Sequence, residues 1–232
     1  MSSRTIILLT LNEINGVSAL LDKLPLKAAD EVLAVDGGST DGTAEFLRSK
    51  GIRVYRQKQR GRGMAFQEGM ANTTGNHVVF YSPDGNEDPA DIPRLFGKLE
   101  EGCDMAIASR FLPGSRNEED DQTLPLRAWA NRAFTWLANV LWNRGAYITD
   151  TINGYRAVTR KAFNAMAPDA AGFMIEYQLS IRAMKLGLKY VEIPTAEGAR
   201  IGGESKAKSI PTGLRFLRFL LKEWSLGRSF IK

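Results

Sequence analysis

Apolar residues in the first half of the chain fall into short runs separated by amphipathic stretches. The runs at 5–9, 31–35, 53–55, 78–81 and 105–108 predict strands. The intervening segments 16–24, 43–49, 63–72 and 91–100 predict helices. Val32-Leu33-Ala34-Val35 and Met105-Ala106-Ile107-Ala108 are apolar on both faces, as a sheet covered by helices on both sides requires. The alternation therefore predicts an α/β fold with a doubly wound, mostly parallel sheet.

The pattern changes beyond Arg110. Residues 113–121 read as a polar, acidic, mobile loop. Residues 126–142 read as a helix carrying Trp129, Phe134, Trp136 and Trp142, with Arg127, Asn131 and Arg132 near its start. A helix over 176–185, a strand over 190–193 and a flexible glycine-bearing loop over 202–206 follow. The last helix, 211–224, is amphipathic. Leu214, Leu217, Leu221 and Trp224 recur at i, i+3, i+7 and i+10, Arg215, Arg218 and Lys222 form a basic face, and Phe216 and Phe219 fall near the boundary. Packing on its own domain explains most such helices; a basic face with flanking aromatics is also how a helix lies in an anionic membrane interface. The expected organisation is one domain over 1–206 and a basic, membrane-interfacial helix over 207–232.

Composition narrows the chemistry. Hydrophobic content of 44% and charged content of 25% are ordinary for a globular protein. A single cysteine, Cys103, excludes an internal disulfide framework, and a single histidine, His77, leaves little for Ser-His-Asp catalysis or a multi-histidine zinc site. No signal-like leader is read at the start, and no run of about 18 apolar residues would cross a bilayer. The net charge of +5 is unevenly placed, with Lys and Arg crowding 53–62 and 200–232, which suggests an anionic ligand, an anionic surface, or both. No nucleic-acid motif accompanies the basic tail.

In a doubly wound sheet, ligands bind beyond the carboxyl ends of the strands. Five such ends carry acidic, amide, basic or glycine-rich sequence: Thr10-Leu11-Asn12-Glu13, the 36–43 segment, Arg60-Gly61-Arg62-Gly63, Ser82-Pro83-Asp84-Gly85-Asn86, and Ser109-Arg110. Asp84 and Asn86, two residues apart after a strand, would aim two oxygens at one hard cation, although Pro-Asp-Gly alone is also a common turn. Asp41 is placed to cap the helix that follows and Asp36 to accept hydrogen bonds from a nucleoside. The Arg-Gly-Arg-Gly segment precedes a helix, where backbone amides and arginines favour an anion.

Taken in order, Leu-Asn-Glu, Val-Asp-Gly-Gly-Ser-Thr-Asp-Gly-Thr, Gly-Arg-Gly-Met-Ala, Pro-Asp-Gly-Asn, Ala-Ser-Arg-Phe, Asn-Gly-Tyr-Arg-Ala and Gly-Glu-Ser-Lys resemble the family 2 glycosyltransferases, and among these most nearly the polyprenyl (dolichyl) phosphate sugar synthases. The resemblance runs from about residue 5 to about residue 206. It implies a GT-A-like nucleotide-sugar-binding fold and an inverting transfer from a nucleoside-diphosphate sugar to a polyprenyl phosphate. It implies that Glu13 and Asp36 hold the nucleoside, that Arg62 approaches the base or phosphates, and that Arg200 and Lys206 flank a loop closing over the diphosphate. With Thr10, Asn12, Gly38, Gly63 and Asp84 these complete the expected donor set. Asp84 and Asn86 would hold Mg²⁺ or Mn²⁺, while Ser109, Arg110, Arg127 and Asn131 would receive the acceptor phosphate. Asp84, Arg110 and Arg127 are the expected catalytic groups. The implied location is cytoplasmic, peripheral on the inner face of the membrane; oligomeric state is left open.

Two departures from the family pattern stand out. Ser82 occupies the place of a metal-binding aspartate, and Gly37 that of a second acid after Asp36. The first predicts a weaker, more water-rich metal site, which Mg²⁺ tolerates. The acceptor sets the need for a base. A phosphomonoester, with its second proton lost near pH ~6, is already a nucleophile, whereas a sugar hydroxyl would call for a general base, for which Glu176 is the candidate. Glu176 reads equally well as a solvent-facing residue near a helix start. The alternatives are a family 2 enzyme with a saccharide hydroxyl acceptor, a nucleotidyltransferase, which would carry a Gly-rich basic loop where Leu-Asn-Glu stands, and a non-catalytic, membrane-bound nucleotide-binding module.

Overall fold

A computed structural model describes residues 2–120, 124–201 and 209–231. The chain alternates strand and helix: β1 (Arg4–Thr10), α1 (Ile14–Leu20), β2 (Glu31–Asp36), α2 (Thr43–Ser49), β3 (Arg53–Arg56), α3 (Arg62–Ala71), β4 (His77–Tyr81), α4 (Asp91–Glu100) and β5 (Met105–Ser109). There follow α5 (Leu126–Trp142), β6 (Arg156–Thr159), α6 (Arg160–Met166), α7 (Ile175–Leu186), β7 (Tyr190–Pro194) and α8 (Ser209–Leu226).

The strands form one seven-stranded sheet in the order β3-β2-β1-β4-β6-β5-β7. All neighbours are parallel except β6, which runs antiparallel to both β4 and β5. From β1 the chain winds outward to β2 and β3 on one side and crosses to β4 on the other, so a crevice opens beyond the ends of β1 and β4. The register sets those ends level: Thr10 pairs with Asp36, and Leu8 with Tyr81.

Alternating side chains feed a core on each face of the sheet. Ile7 and Leu9 join Phe66, Phe80, Tyr177 and Ile181 on one face, while Ile6 and Leu8 join Val17, Leu47, Leu95 and Phe96 on the other. The last helix belongs to the first of these cores through Phe216, Phe219 and Leu220. Its predicted stripe of Leu214, Leu217, Leu221 and Trp224 faces outward instead. Among the described residues no helix is long and apolar enough to cross a membrane.

Two elements absent from the sequence reading are β6 and α6. Arg156 opens β6 and is fully buried, an unusual residue for the middle of a sheet. It donates to the carbonyls of Asn153 (3.0 Å) and Glu176 (2.9 Å) and to the Ser180 hydroxyl (3.2 Å), and burial draws it down to about 10. The acidic segment expected to be a free loop is tied down over 115–120: Arg116 bridges to Ala196, and Glu118 N–H donates to Glu197 at 2.9 Å. Cys103 is a free, half-buried thiol, and His77 begins β4, at the end of the strand away from the crevice.

Candidate active site

The loops after β1 and β2 brace each other. Asn12, held at a φ of 53° that asparagine tolerates, accepts from Thr40 N–H at 2.9 Å and donates its own N–H to Ser39 Oγ at 2.9 Å. Asp36 is buried and accepts from Gly38 N–H (3.0 Å), Ser39 N–H (2.9 Å) and Thr10 Oγ1 (3.4 Å), so much of its carboxylate is spent on its own loop. Asp41 caps two helices at once, accepting from Thr43 N–H and Ile14 N–H, each at 3.0 Å. Burial pushes the Asp41 carboxyl up, and the hydrogen bond from the Thr43 hydroxyl, together with these amides, outweighs it to hold it below its usual range. Glu13 stands half-buried between the loops, its N–H given to Thr43 Oγ1 at 3.0 Å.

At the start of α3 the expected amides are already used. Gly63 and Met64 N–H donate to the Ala171 carbonyl at 2.9 and 3.3 Å, so an anion here would meet the Arg62 side chain rather than these amides. Arg62 pairs with Glu176 and donates to Ser82 Oγ at 3.2 Å. Glu176 is therefore buried in the crevice and not solvent-facing. Gly154 makes this pair possible: a Cβ there would stand 2.1 Å from Arg62 Nη2 and 3.0 Å from Glu176 Oε1.

The turn after β4 is covered by the segment following β7. Gly198 N–H donates to the Asn86 carbonyl (3.0 Å), Asn86 Nδ2 to the Gly198 carbonyl (2.8 Å), and Ile201 N–H to the Asp84 carbonyl (2.7 Å). Gly85 sits at φ 94° directly beneath, and a Cβ on it would lie 2.7 Å from Ile201 Cγ1. Arg200 reaches from this strap to Asp84 Oδ2 at 2.8 Å and Asn86 Oδ1 at 3.2 Å. The two oxygens expected to share a cation thus converge on one positive group. Glu87 lies beside them; its Oε2 accepts from Ser82 N–H at 2.6 Å, and burial together with the Asp84 charge pushes it up to about 8.

On the β5 side, Arg110 is clamped by Asp150, with Nε to Oδ2 at 2.7 Å and Nη2 to Oδ1 at 3.0 Å, and reaches Glu197 at 3.4 Å. A phosphate there would share this guanidinium with two carboxylates. Arg127 pairs with Glu118 (2.8 Å) and Glu119 (3.0 Å), and Glu118 also approaches Arg200 at 4.0 Å, linking the start of α5 to the β4 turn. Asn131 lies one turn further along α5, half-buried, while Lys206 lies outside the described residues. Ser109 Oγ and Thr149 Oγ1 are 2.6 Å apart, and Thr149 opens into a cleft of about 350 Å³ lined by Phe111, Arg132, Thr135, Trp136 and Tyr147.

Asp150, Glu87, Glu118 and Glu197 escaped the sequence reading. Glu197 follows the end of β7, a strand end like the five that were read, and so carried a usable signal. Among the described residues around the crevice, the guanidiniums of Arg62, Arg110, Arg127 and Arg200 face the carboxyl groups of Asp84, Glu87, Glu118, Glu119, Asp150, Glu176 and Glu197. The convergence of Asp84 and Asn86 on one cation fits a divalent ion there.

A mostly parallel sheet flanked by helices, with its polar crevice beyond the strand ends, defines the GT-A class of sugar-nucleotide fold. The same architecture is found in glucosyl-3-phosphoglycerate synthase from Mycobacterium tuberculosis, solved with Mn²⁺ and UDP-glucose, at a TM-score of 0.73 and 24% identity, covering 100% of this chain and 80% of that one. Residues 5–165 match the glycosyl transferase family 2 model, and the chain belongs to that family. Among its relatives, the glycosyltransferase AglJ of Haloferax volcanii is 30% identical over 201 residues, 84% of this chain and 62% of AglJ. The chain thus spans less than two thirds of AglJ's own length. The polyprenol monophosphomannose synthase of Mycolicibacterium smegmatis is 28% identical over 211 residues, 84% of this chain and 76% of that protein.

Proposed function

We propose that this glycosyltransferase is inverting and moves a sugar from a nucleoside-diphosphate donor to a polyprenyl phosphate at a membrane surface. The observation that carries the reading is the aromatic cleft beside Ser109 and Thr149. Its lining sets Arg132 and Thr149 beside Phe111, Trp136 and Tyr147, and Trp129, Val140 and Leu141 are also exposed on α5. A polar head would meet Arg132 and Thr149 there, and an apolar tail the aromatic side chains beside them. The name of the mycobacterial relative supports the same acceptor class.

In this reading Glu13 and Asp36, with Gly38 beside them, hold the nucleoside, and Arg62 and Arg200 meet the diphosphate. Asp84 and Asn86 would hold Mg²⁺ or Mn²⁺, which when bound supplies Lewis-acid neutralisation of the leaving group. Arg110 and Arg127, restrained by their carboxylates, orient the acceptor phosphate. A phosphate oxygen attacks the anomeric carbon, the bond to the diphosphate oxygen breaks, and the nucleoside diphosphate leaves; one displacement inverts the centre. A phosphate dianion needs no proton removed, and Glu176, already committed to Arg62, need not serve as a base. Interfacial contact would come from the outward stripe of α8, on the cytoplasmic face of the membrane.

The test is incubation with radiolabelled UDP-, GDP- and dTDP-sugars, Mn²⁺ or Mg²⁺, and either polyprenyl phosphate or a soluble saccharide. Label that partitions into organic solvent only with polyprenyl phosphate is expected. Transfer solely to the saccharide overturns the acceptor assignment, and no donor turnover in any combination overturns the enzymatic reading.

A further inference from the structure

Asp84 and Asn86 bring only one negative charge to the cation they would share, and position 82 offers a neutral hydroxyl. The turn nonetheless holds a second carboxylate. The Glu87 side chain folds back across it so that Oε2 accepts the Ser82 N–H at 2.6 Å, while Tyr81 Oη donates to the Glu87 carbonyl at 3.1 Å and fixes the backbone that carries it. The other carboxylate oxygen, Oε1, makes no hydrogen bond among the described residues. Arg62 donates to the Oγ of the same Ser82 at 3.2 Å, so Glu87, Ser82 and Arg62 meet at the end of β4.

Building on the metal-assisted reading above, we propose that Glu87 supplies the second negative group of the divalent-cation site, anchored at Ser82 from outside the ion's direct ligands. The Ser82 amide fixes one carboxylate oxygen and leaves the other to accept from water held by the ion. Outer groups of this kind orient the inner ligands and govern affinity. Arg200 balances Asp84 when no cation is bound. The charge absent from residue 82 is thus carried by the side chain that residue 82 holds. Glu87 is a positioning residue here, because it acts through the ion's surroundings and not on the sugar.

Mn²⁺ binding to the full chain, without donor or acceptor, tests this; it is followed by loss of the free-ion electron paramagnetic resonance signal, with thermal melting of each variant as a fold control. Glu87→Gln keeps the shape and removes the charge, and it should weaken Mn²⁺ about 10-fold or more. Ser82→Asp combined with Glu87→Gln returns the charge to the turn and should recover most of that loss. Asp84→Ala should abolish saturable binding. Wild-type affinity in Glu87→Gln, with binding lost in Asp84→Ala, overturns the role of Glu87 and leaves the metal reading intact. Absence of saturable binding in the wild type overturns both. A folded double variant that recovers nothing makes Glu87 a structural residue only, and overturns the proposal. Should Glu87→Gln alone fail to fold, the double variant decides the matter: near-wild-type affinity supports the charge assignment and lost affinity refutes it.

Discussion

The Arg200 guanidinium meets the Asp84 carboxylate at 2.8 Å and the Asn86 amide oxygen at 3.2 Å, so a side chain of the strap occupies the point where a divalent ion would bind. Ion and arginine cannot both hold Asp84 Oδ2 in this geometry. Arg200→Ala is therefore expected to tighten Mn²⁺ binding to the free protein about fivefold, the equivalent of the ~1 kcal/mol that a partly exposed ion pair contributes. The same substitution removes a cation from the diphosphate and should weaken donor binding. Calorimetric titration of Mn²⁺ and of donor against both proteins reads the two signs separately; weaker Mn²⁺ binding in the variant would refute the competition.

Glu176 supplies a second test, because its two readings differ in magnitude. A general base contributes about 10²- to 10⁴-fold to rate. An anchor for Arg62 contributes through donor positioning instead, and Glu176→Gln retains a hydrogen-bonding group at the same place. The expected result with polyprenyl phosphate is a raised donor KM with kcat reduced less than about 10-fold, well below the range for loss of a base. A fall in kcat of three orders of magnitude, with KM unchanged, would return Glu176 to the role of base.

The parallel part of the fold was legible because its signals are local. Alternation of apolar runs with amphipathic segments gave α2, α4 and α5 with the bounds the structure shows, and placed Asp36, Asp84 and Arg110 at strand ends. Asp150 was hidden for a topological reason. It precedes β6, which runs against its neighbours, so the start of β6 and not its end lies at the crevice. Arg156 concealed the strand itself, since the carbonyls that satisfy it are supplied by Asn153 and by Glu176, which is distant in sequence. The last helix was legible as amphipathic but not in orientation. Periodicity finds two candidate faces in a sequence rich in leucine and phenylalanine, and only the packing of Phe216 against Phe134 and Tyr177 decides which one turns inward.

That orientation leaves an apolar stripe in solvent. Leu214, Leu217, Leu221 and Trp224 are 62%, 48%, 64% and 66% exposed, with Arg215, Arg218 and Lys222 also at the surface. Such a stripe flanked by bases suits an anionic lipid interface. Leu217→Glu and Leu221→Glu replace exposed side chains, so melting should change little. Each removes the ~1.5 to 3 kcal/mol that burying a leucine contributes, and co-sedimentation with phosphatidylglycerol-containing vesicles should fall about 10-fold or more. Vesicle binding equal to wild type in both variants would rule out this face.

The helix that presents the stripe is held by a buried charge cluster. Glu223 of α8 is fully buried and accepts from Gln178 Nε2 (2.8 Å), Arg182 Nη2 (3.0 Å) and Lys185 Nζ (2.7 Å), all on α7, while Asp169 pairs with Arg182 at 2.7 Å and Lys222 at 2.9 Å. Burial raises the Glu223 carboxyl, but hydrogen bonds from Arg182, Gln178 and Lys185 outweigh it and hold it below its ordinary 4.5. Asp169 is lowered in the same sense, again with burial opposed by its hydrogen bonds. A carboxyl depressed on folding contributes stability above its unfolded value and loses it as pH falls through the folded value. Burial draws Lys185 below its ordinary 10.5, opposed by its bond to Glu223. Docking of α8 should therefore hold at neutral pH and fail progressively below about 4.5. Glu223→Gln leaves Arg182 and Lys185 without their buried partner, at a cost of about 3 to 5 kcal/mol near neutrality. The variant should melt lower at pH 7 yet lose less between pH 5 and pH 3 than the wild type, because the depressed group is gone. Melting curves of the two proteins that fall in parallel across that range would show that Glu223 does not control the docking.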